Sequence, residues 1–341
     1  MKVLIVGSNS VHLANFVEGL NKKGIKLSLL AEEECDFWDK EYFKVSFRSL
    51  NPFSLNSNYR KLKNYLAANQ FDIIHIHQAN RLAYFVTKIA SKLDLKVVLT
   101  AWGSDVLLMP KKNALYKFLV KKTLERSSAI TADAIVMIDA MLELEPTKNK
   151  YHHLQYGIDA VQSGEKKNII FSNRLHKTFY KIDQIISLFH EFQLENNDWK
   201  LVIAGSGAET ENLKAQVNGL DLKDKVEFVG WLDKKKNQSW YSQAKIYCSI
   251  PTSDGSSVSV LESMSANCIP VLSDIPVSHE WITNGLNGII LSKNVNPFVE
   301  ALSLNMEDLI KVNQELIQKK ALRESCLSDF VSIYESLLVE K

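Results

Sequence analysis

Short apolar, β-branched runs alternate along the chain with longer stretches whose apolar residues recur every three or four positions. KVLIVG (2–7), KLSLLA (26–31), FDIIHIH (71–77), KVVLTAW (96–102) and AITADA (129–134) read as strands. Between them VHLANFVEGLNKKG (ending near Gly24), NYRKLKNYLAANQ, 80–93 and a long stretch from about 113 to 126 read as helices. Continuous rather than alternating apolar strands are buried on both faces, as parallel strands covered by helices are. The pattern predicts a doubly wound α/β unit.

Residues 145–168 are polar and turn-rich and read as a linker, after which the alternation restarts. NIIFSNR (168–174), WKLVIAGSG (199–207), KVEFVGW (225–231), KIYCSIP (245–251), CIPVLSD (268–274) and GIIL (288–291) are the expected strands. Helices are expected over 181–195, 209–218, 234–243, 258–266 and 277–284, and 307–339 is helical by period with no strand after it. A chain of 341 residues with 46% hydrophobic content can fill two cores. The expected fold class is α/β, with two Rossmann-like domains, 1–160 and 161–321, facing across a cleft and a C-terminal segment, 322–341, rejoining the first. Ligands in such sheets bind at strand carboxyl ends where the strand order reverses.

Composition narrows the classes. A net charge of +2 gives no reason to expect nucleic acid. The four cysteines (35, 248, 268, 326) are widely spaced, without CxxC or paired histidine, which argues for reduced thiols and against a zinc site. Gly7, Ser8, Asn9 and Ser10 interrupt the N-terminal apolar run too early for a signal peptide, and no window reaches about 18 apolar residues. The expected location is the cytoplasm.

The strand-end loops carry the candidate chemistry. VGSNSVH (6–12) offers Gly7, Ser8 and a helix start, suited to an anion or simply to an ordinary tight turn. HIHQAN (75–80) puts His75 and His77 on one side of a strand, without a third ligand at a telling distance for a metal. TAWGSD (100–105) contributes Trp102, a packing residue or a platform for a sugar ring, and Asp105. SNRLHKTFYK (172–181) groups Arg174, Lys177 and Lys181, which suits a diphosphate as well as a solvated basic loop. AGSGAE (204–209) places Gly205 and Gly207 between strand and helix, where a backbone can approach a ligand closely. TSDGSSVSVLESM (252–264) sets Asp254 in a loop with Gly255, Ser256 and Ser257, and Glu262 about one turn into the next helix. Gly255 could fold Asp254 toward that helix so that both carboxylates face one pocket, although helix capping alone would also account for Asp254.

Taken with YGID (156–159), KLVIAGSGAETENLK, KVEFVGWLD and the long segment SDGSSVSVLESMSANCIPVLSDIPVSHEWITNGLNG (253–288), these loops resemble the retaining glycosyltransferases of family 4, which have the GT-B fold, over essentially the whole chain. NSVH, AWGSD and SNR…FYKID point within that family to bacterial polysaccharide and glycoconjugate assembly enzymes. The resemblance implies that Glu262 holds the donor ribose hydroxyls. Asp254, with the backbone of Gly255 and Ser256, would meet the donor sugar, and Arg174 would grip the diphosphate. The family's lysine five residues after that arginine is missing, Thr178 and Phe179 standing in the region, so Lys181 or Lys177 is the expected substitute. Where many relatives have a histidine before the glycine of AWGSD, this chain has Trp102. His12, His77, Trp102 and Asp105 remain as acceptor-side candidates.

The implied reaction transfers a glycosyl unit from a nucleoside diphosphate sugar, uridine-linked by preference, to a glycan, lipid-linked or protein-glycan acceptor with retention of configuration. Cations and backbone N–H groups near Gly7 and Gly205 would stabilise the leaving diphosphate, so neither metal nor cofactor is expected. Residues 110–126 combine six basic residues with Leu115, Tyr116, Phe118, Leu119, Val120 and Leu124, a candidate for peripheral contact with the inner membrane surface or equally an ordinary helix that covers the sheet with a solvated basic face. Alternatives are a non-catalytic sugar-nucleotide-binding subunit and an epimerase on the same fold. A phosphorylase and a dinucleotide-dependent oxidoreductase lack their motifs here.

Overall fold

The computed structural model describes residues 1–293 and 295–339. The chain divides into two compact units, 1–156 with 323–341 and 157–322. The first holds strands β1 (Lys2–Val6), β2 (Lys26–Ala31), β3 (Phe43–Lys44), β4 (Ile73–His77), β5 (Val97–Thr100), β6 (Ala129–Ala132) and β7 (Tyr151–His153). They form one parallel sheet in the order β3-β2-β1-β4-β5-β6-β7. β1 therefore lies between strands reached in opposite directions, and its carboxyl end and that of β4 mark the point where the order reverses.

The second unit holds β8 (Lys167–Ser172), β9 (Lys200–Ala204), β10 (Val226–Gly230), β11 (Ala244–Ser249), β12 (Ile269–Leu272) and β13 (Ile289–Ile290). Their order is β10-β9-β8-β11-β12-β13, again parallel, with the reversal between β8 and β11. Both sheets are doubly wound α/β layers, as the continuous apolar strands predict: β4 and β5 are buried at every position.

Three departures from the pattern have physical reasons. The expected linker over 145–168 contains β7 and the start of β8; YHH is a three-residue edge strand with no apolar run to announce it. The stretch 307–339 is two helices, Met306–Lys320 and Arg323–Val339, separated where the chain passes from the second unit to the first. The helix Pro52–Ala68 begins six residues before the apolar period does, because Asn51 caps the N–H groups of Phe53 and Ser54 and Pro52 fits the first turn. The basic helix, expected from about 113, spans Ala114–Arg126 and follows two short turns of helix, Ser104–Leu107 and Met109–Lys112.

The helix Arg323–Val339 packs into the first unit's core through Leu327, Phe330, Ile333, Tyr334 and Leu337. Its Tyr334 hydroxyl sits 2.5 Å from Nδ1 of buried His75, whose Nε2 meets the Thr100 hydroxyl at 2.6 Å. Both ring nitrogens of His75 are thus occupied inside the core. Tyr334→Phe should cost about 1–3 kcal/mol, because it leaves a buried imidazole nitrogen without its partner. Urea unfolding followed by a reporter in the first unit measures it; an unchanged midpoint would contradict that role.

Candidate functional site

In the second unit β8 and β11 are hydrogen-bonded neighbours, so the loops leaving their carboxyl ends lie side by side. This brings Arg174 to Asp254, 80 residues later, at 2.7 Å from Nη2 to Oδ2. Nη1 of the same guanidinium donates to the Ser257 hydroxyl at 2.5 Å, and the guanidinium lies 4.6 Å from the ring centre of Tyr180. Burial works against the Arg174 charge, but Asp254, with the phenols of Tyr247 and Tyr180, more than reverses this and holds the guanidinium above its ordinary value. Burial pushes the Asp254 carboxyl up, opposed by Arg174 and by the Gly255 N–H. The Asp254 side chain keeps 25% of its surface exposed and that of Arg174 12%, so the pair is largely withdrawn from water yet reachable.

Asn173, the neighbour of Arg174 in the chain, is held in a buried network. The Tyr247 hydroxyl donates to Oδ1 of Asn173 at 2.9 Å, while Nδ2 of Asn173 donates to the Tyr241 hydroxyl at 2.7 Å and to Asn237 at 2.9 Å. Burial raises both phenols above their ordinary range, so they stay protonated and Asn173 is locked in one orientation. Asn173 is visible in the sequence only as the neighbour of Arg174, and two buried tyrosines read as ordinary core, so this network had no separate signal.

Strand β11 ends at Ser249, and the helix Val258–Ser265 starts after Ser257. Glu262 is half-buried on that helix, beside buried Leu261 and Ser263, and its charge is felt by Tyr241. Asp254, Gly255 and Ser257 line a recess of about 20 Å³, room for roughly one water. Glu262 is not among the residues that line this recess. Within the loop Gly255 N–H donates to Asp254 Oδ1, and the Ser256 hydroxyl accepts from the Trp281 indole at 2.9 Å.

Lys181 adopts a left-handed conformation (φ 50°) at the start of the helix Ile182–Gln193. With Thr252, Ser273, Asp274 and Lys293 it lines a cavity of about 900 Å³ that shares Pro251, Ser273 and Ile275 with the Asp254 recess. Thr252 N–H donates to the Phe179 carbonyl at 3.1 Å, tying the two loops together. Arg174 and Lys177 line neither cavity, and Lys177 is exposed on the rim of the basic loop.

The glycines stand against the chain's own atoms. A Cβ at Gly205 would stand 2.6 Å from the Arg174 carbonyl oxygen, and one at Gly207 2.3 Å from that of His176. The close approach they allow is to the chain's own 174–176 segment, and Gly205 in addition has φ +105°. Gly7 is similar, since a Cβ there would meet Leu13 Cδ2 at 2.5 Å. Gly207→Ala should therefore push the 174–176 backbone away and destabilise the second unit by about 1–3 kcal/mol. Thermal unfolding checks this; a neutral substitution would mean that the loop yields freely.

In the first unit, the acceptor-side candidates gather at the ends of β1, β4 and β5. His77 is 2% exposed, stacks on His75 at 4.3 Å, and its Nδ1 lies 3.1 Å from the Tyr156 hydroxyl. Burial pushes its imidazole down to about 3, so it is neutral at ordinary pH. Exposed His12 and half-buried Trp102 are 6.3 Å apart edge to face, and Trp102 stands equally far from His77. Asp105 is different. It is buried, with Oδ2 accepting from Ala79 N–H at 2.7 Å and Oδ1 from Trp102 N–H at 3.0 Å, so its carboxylate braces the loops after β4 and β5. Gly7, Ser8 and His77 line a cavity of about 220 Å³. Among the described residues no group of three or more His, Cys, Asp or Glu could hold a metal, and the four cysteines are buried and form no disulfide. No described helix is long and apolar enough to cross a membrane.

Two family models match the chain: "Glycosyl transferase 4-like" over residues 2–134 and "Glycosyl transferases group 1" over 159–323. The α-monoglucosyldiacylglycerol synthase of Streptococcus pneumoniae is 25% identical over 130 residues, 38% of this chain and 29% of that one. The O-antigen chain mannosyltransferase RfbU of Salmonella typhimurium is 24% identical over 182 residues, 50% of this chain and 49% of that one. The chain thus aligns with less than half the length of these curated relatives. In structure, the Anabaena protein Alr3699/HepE solved with UDP superposes with a TM-score of 0.80 at 11% identity, covering 98% of this chain and 100% of that one. Two parallel Rossmann-like sheets of seven and six strands, matched by both family models, place this chain among the family 4-type glycosyltransferases with the GT-B fold.

Proposed function

We propose that this chain is a retaining, metal-independent glycosyltransferase that moves a sugar from a nucleoside diphosphate sugar to a glycan or lipid-linked acceptor in bacterial surface glycoconjugate synthesis. The observation that carries the reading is the Arg174 guanidinium, held by Asp254 and Ser257 at the reversal point of the second sheet. A planar, permanently charged group with a prepared orientation suits the charge that develops on a departing diphosphate. Lys181, on the wall of the adjoining 900 Å³ cavity, is the second cation, and exposed Lys177 the weaker candidate. Glu262 takes the ribose hydroxyls, and Asp254 with the Gly255–Ser256 backbone takes the donor sugar. The glycosidic carbon–oxygen bond to phosphate breaks as the acceptor oxygen bonds to the same face, and the donor phosphate receives the acceptor proton.

A uridine donor is favoured because HepE was solved with UDP and with UDP-glucose, while RfbU is named a mannosyltransferase. Incubation with donor panels in EDTA, with and without acceptor glycans, tests the reading. The expected result is nucleoside diphosphate release that needs the acceptor and a product whose anomeric proton reports retention. Equal release without acceptor would point to an epimerase or hydrolase, and none with any donor to a non-catalytic subunit.

The lipid-linked acceptor has support in the helix Ala114–Arg126 and the turn before it. Leu115 and Phe118 are exposed there (59% and 48%) among exposed Lys111, Lys112, Lys117 and Lys121. Apolar side chains standing out among lysines suit the surface of an anionic bilayer. The chain is expected to co-float with anionic vesicles at low salt and to lose this in Leu115→Ser/Phe118→Ser; absence of co-flotation would contradict membrane contact.

A further inference from the structure

We propose that Tyr180 is a positioning residue for the diphosphate grip: its ring holds the plane of the Arg174 guanidinium when the donor diphosphate displaces Asp254. The inference rests on the glycosyltransferase reading above and adds the residue that orients Arg174 in the loaded site.

The guanidinium meets its neighbours in two ways. Asp254 and Ser257 take its N–H donors, Nη2 giving to Asp254 Oδ2 at 2.7 Å and Nη1 to the Ser257 hydroxyl at 2.5 Å. Tyr180 meets it through the ring, with Cζ of Arg174 lying over the ring at 4.6 Å from its centre. A contact through the face leaves the N–H edge free, and that edge is what a diphosphate needs. Asp254 cannot hold the group in the loaded site, because an arriving anion competes with its carboxylate for the same charge. A neutral ring has no such conflict. It also contributes more to a cation withdrawn from water, and the Arg174 side chain is only 12% exposed.

The chain around Tyr180 is built to present that ring. Thr178–Tyr180 form a single 3₁₀ turn, closed by Tyr180 N–H donating to the Lys177 carbonyl at 2.9 Å. Lys181, next in the chain, holds a left-handed backbone (φ 50°), rare for a residue with a side chain, and strain of this kind persists where the surroundings over-determine it. Thr252 N–H donates to the Phe179 carbonyl at 3.1 Å and ties the turn to the loop that carries Asp254. The Phe179 ring meets Tyr180 edge to face at 5.1 Å, and Tyr180 packs against the core of the second unit. The lysine that the resemblance leads one to expect in this region is absent, and Lys181 lines a cavity that Arg174 does not line. The turn supplies an aromatic ring against Arg174 where a second charge was expected.

The test is calorimetric binding of UDP, GDP and TDP to the full chain. Tyr180→Leu and Tyr180→Met remove the ring and keep apolar bulk against the core, so that one serves should the other fail to fold; Tyr180→Phe keeps the ring. Wild type is expected to bind at least one nucleotide, and the variants without the ring to bind it about tenfold more weakly, the weight of a desolvated cation–π contact. Tyr180→Phe should stay within about threefold of wild type. In an Arg174→Lys background, which has no planar group to hold and keeps Glu262, removing the ring should change binding by less than about twofold. A purely structural Tyr180 would weaken binding equally in both backgrounds. Variants without the ring that bind as wild type does, Tyr180→Phe as weak as Tyr180→Leu, or an equal loss in the Arg174→Lys background would each overturn the positioning role and leave the donor reading standing. A folded wild type that binds none of the three nucleotides would overturn both.

Discussion

Arg174→Ala should lower glycosyl transfer by about two to three orders of magnitude, the usual loss when one preorganised charge-stabilising donor is removed. The argument is local. Arg174 is held by Asp254 and Ser257, so its charge is already oriented as the diphosphate departs. Lysine at this position should recover little, because it keeps the charge and loses the fork that addresses Asp254 and Ser257 together. The ion pair also makes a sign prediction. With no ligand bound Asp254 occupies the guanidinium, so Asp254→Asn should bind free nucleoside diphosphate more tightly while transferring sugar more slowly. Acceptor-dependent nucleotide release and calorimetric binding, with circular dichroism to confirm folding, read both variants. Transfer within threefold of wild type in Arg174→Ala would remove this residue from the mechanism.

The second large effect concerns acid. His77 is held near 3 by burial, against about 6.5 in an unfolded chain. Between those values the unfolded chain binds the extra proton, so stability is complete above pH 6.5 and falls as pH drops toward 3. One such group is worth about 2 kcal/mol already at pH 5 and about 4–5 kcal/mol at the bottom of the window. His75 is displaced in the same direction, by burial first and by His77 next to it, which steepens the loss. Denaturant unfolding of the first unit at pH 7, 6 and 5 measures the slope, and a flat profile would mean that water reaches these rings. The consequence for function is that one of the acceptor-side candidates does not change charge in the physiological range.

These effects also mark what could be seen in the residues beforehand. Parallel strands buried on both faces announce themselves as KVLIV or IIHIH, so both sheets were legible. The two- and three-residue edge strands Phe43–Lys44 and Tyr151–His153 carry no apolar run and were not. Arg174 and Asp254 stood out as charges at strand ends, but their contact spans 80 residues and depends on β8 pairing with β11. Local spacing could not separate His75 from His77, because the difference is made by Tyr334, 259 residues away. Gly205 and Gly207 read in the sequence as places where a backbone approaches a ligand, and the spacing could not show that the 174–176 backbone also crowds them. Asp105 stood in the sequence as an acceptor-side candidate, and only the fold shows its two oxygens accepting from the N–H groups of Ala79 and Trp102.

The central claim is that the second unit binds a nucleoside diphosphate sugar through the segment from Asp254 to Glu262. The most direct test is thermal unfolding of wild type and Glu262→Ala against uridine, guanosine and thymidine diphosphate sugars in EDTA. One donor at 100 times its dissociation constant should add about 2.7 kcal/mol to wild-type stability, and Glu262→Ala should lose that gain while folding normally. No stabilisation by any donor, or the same gain in the variant, would contradict the account.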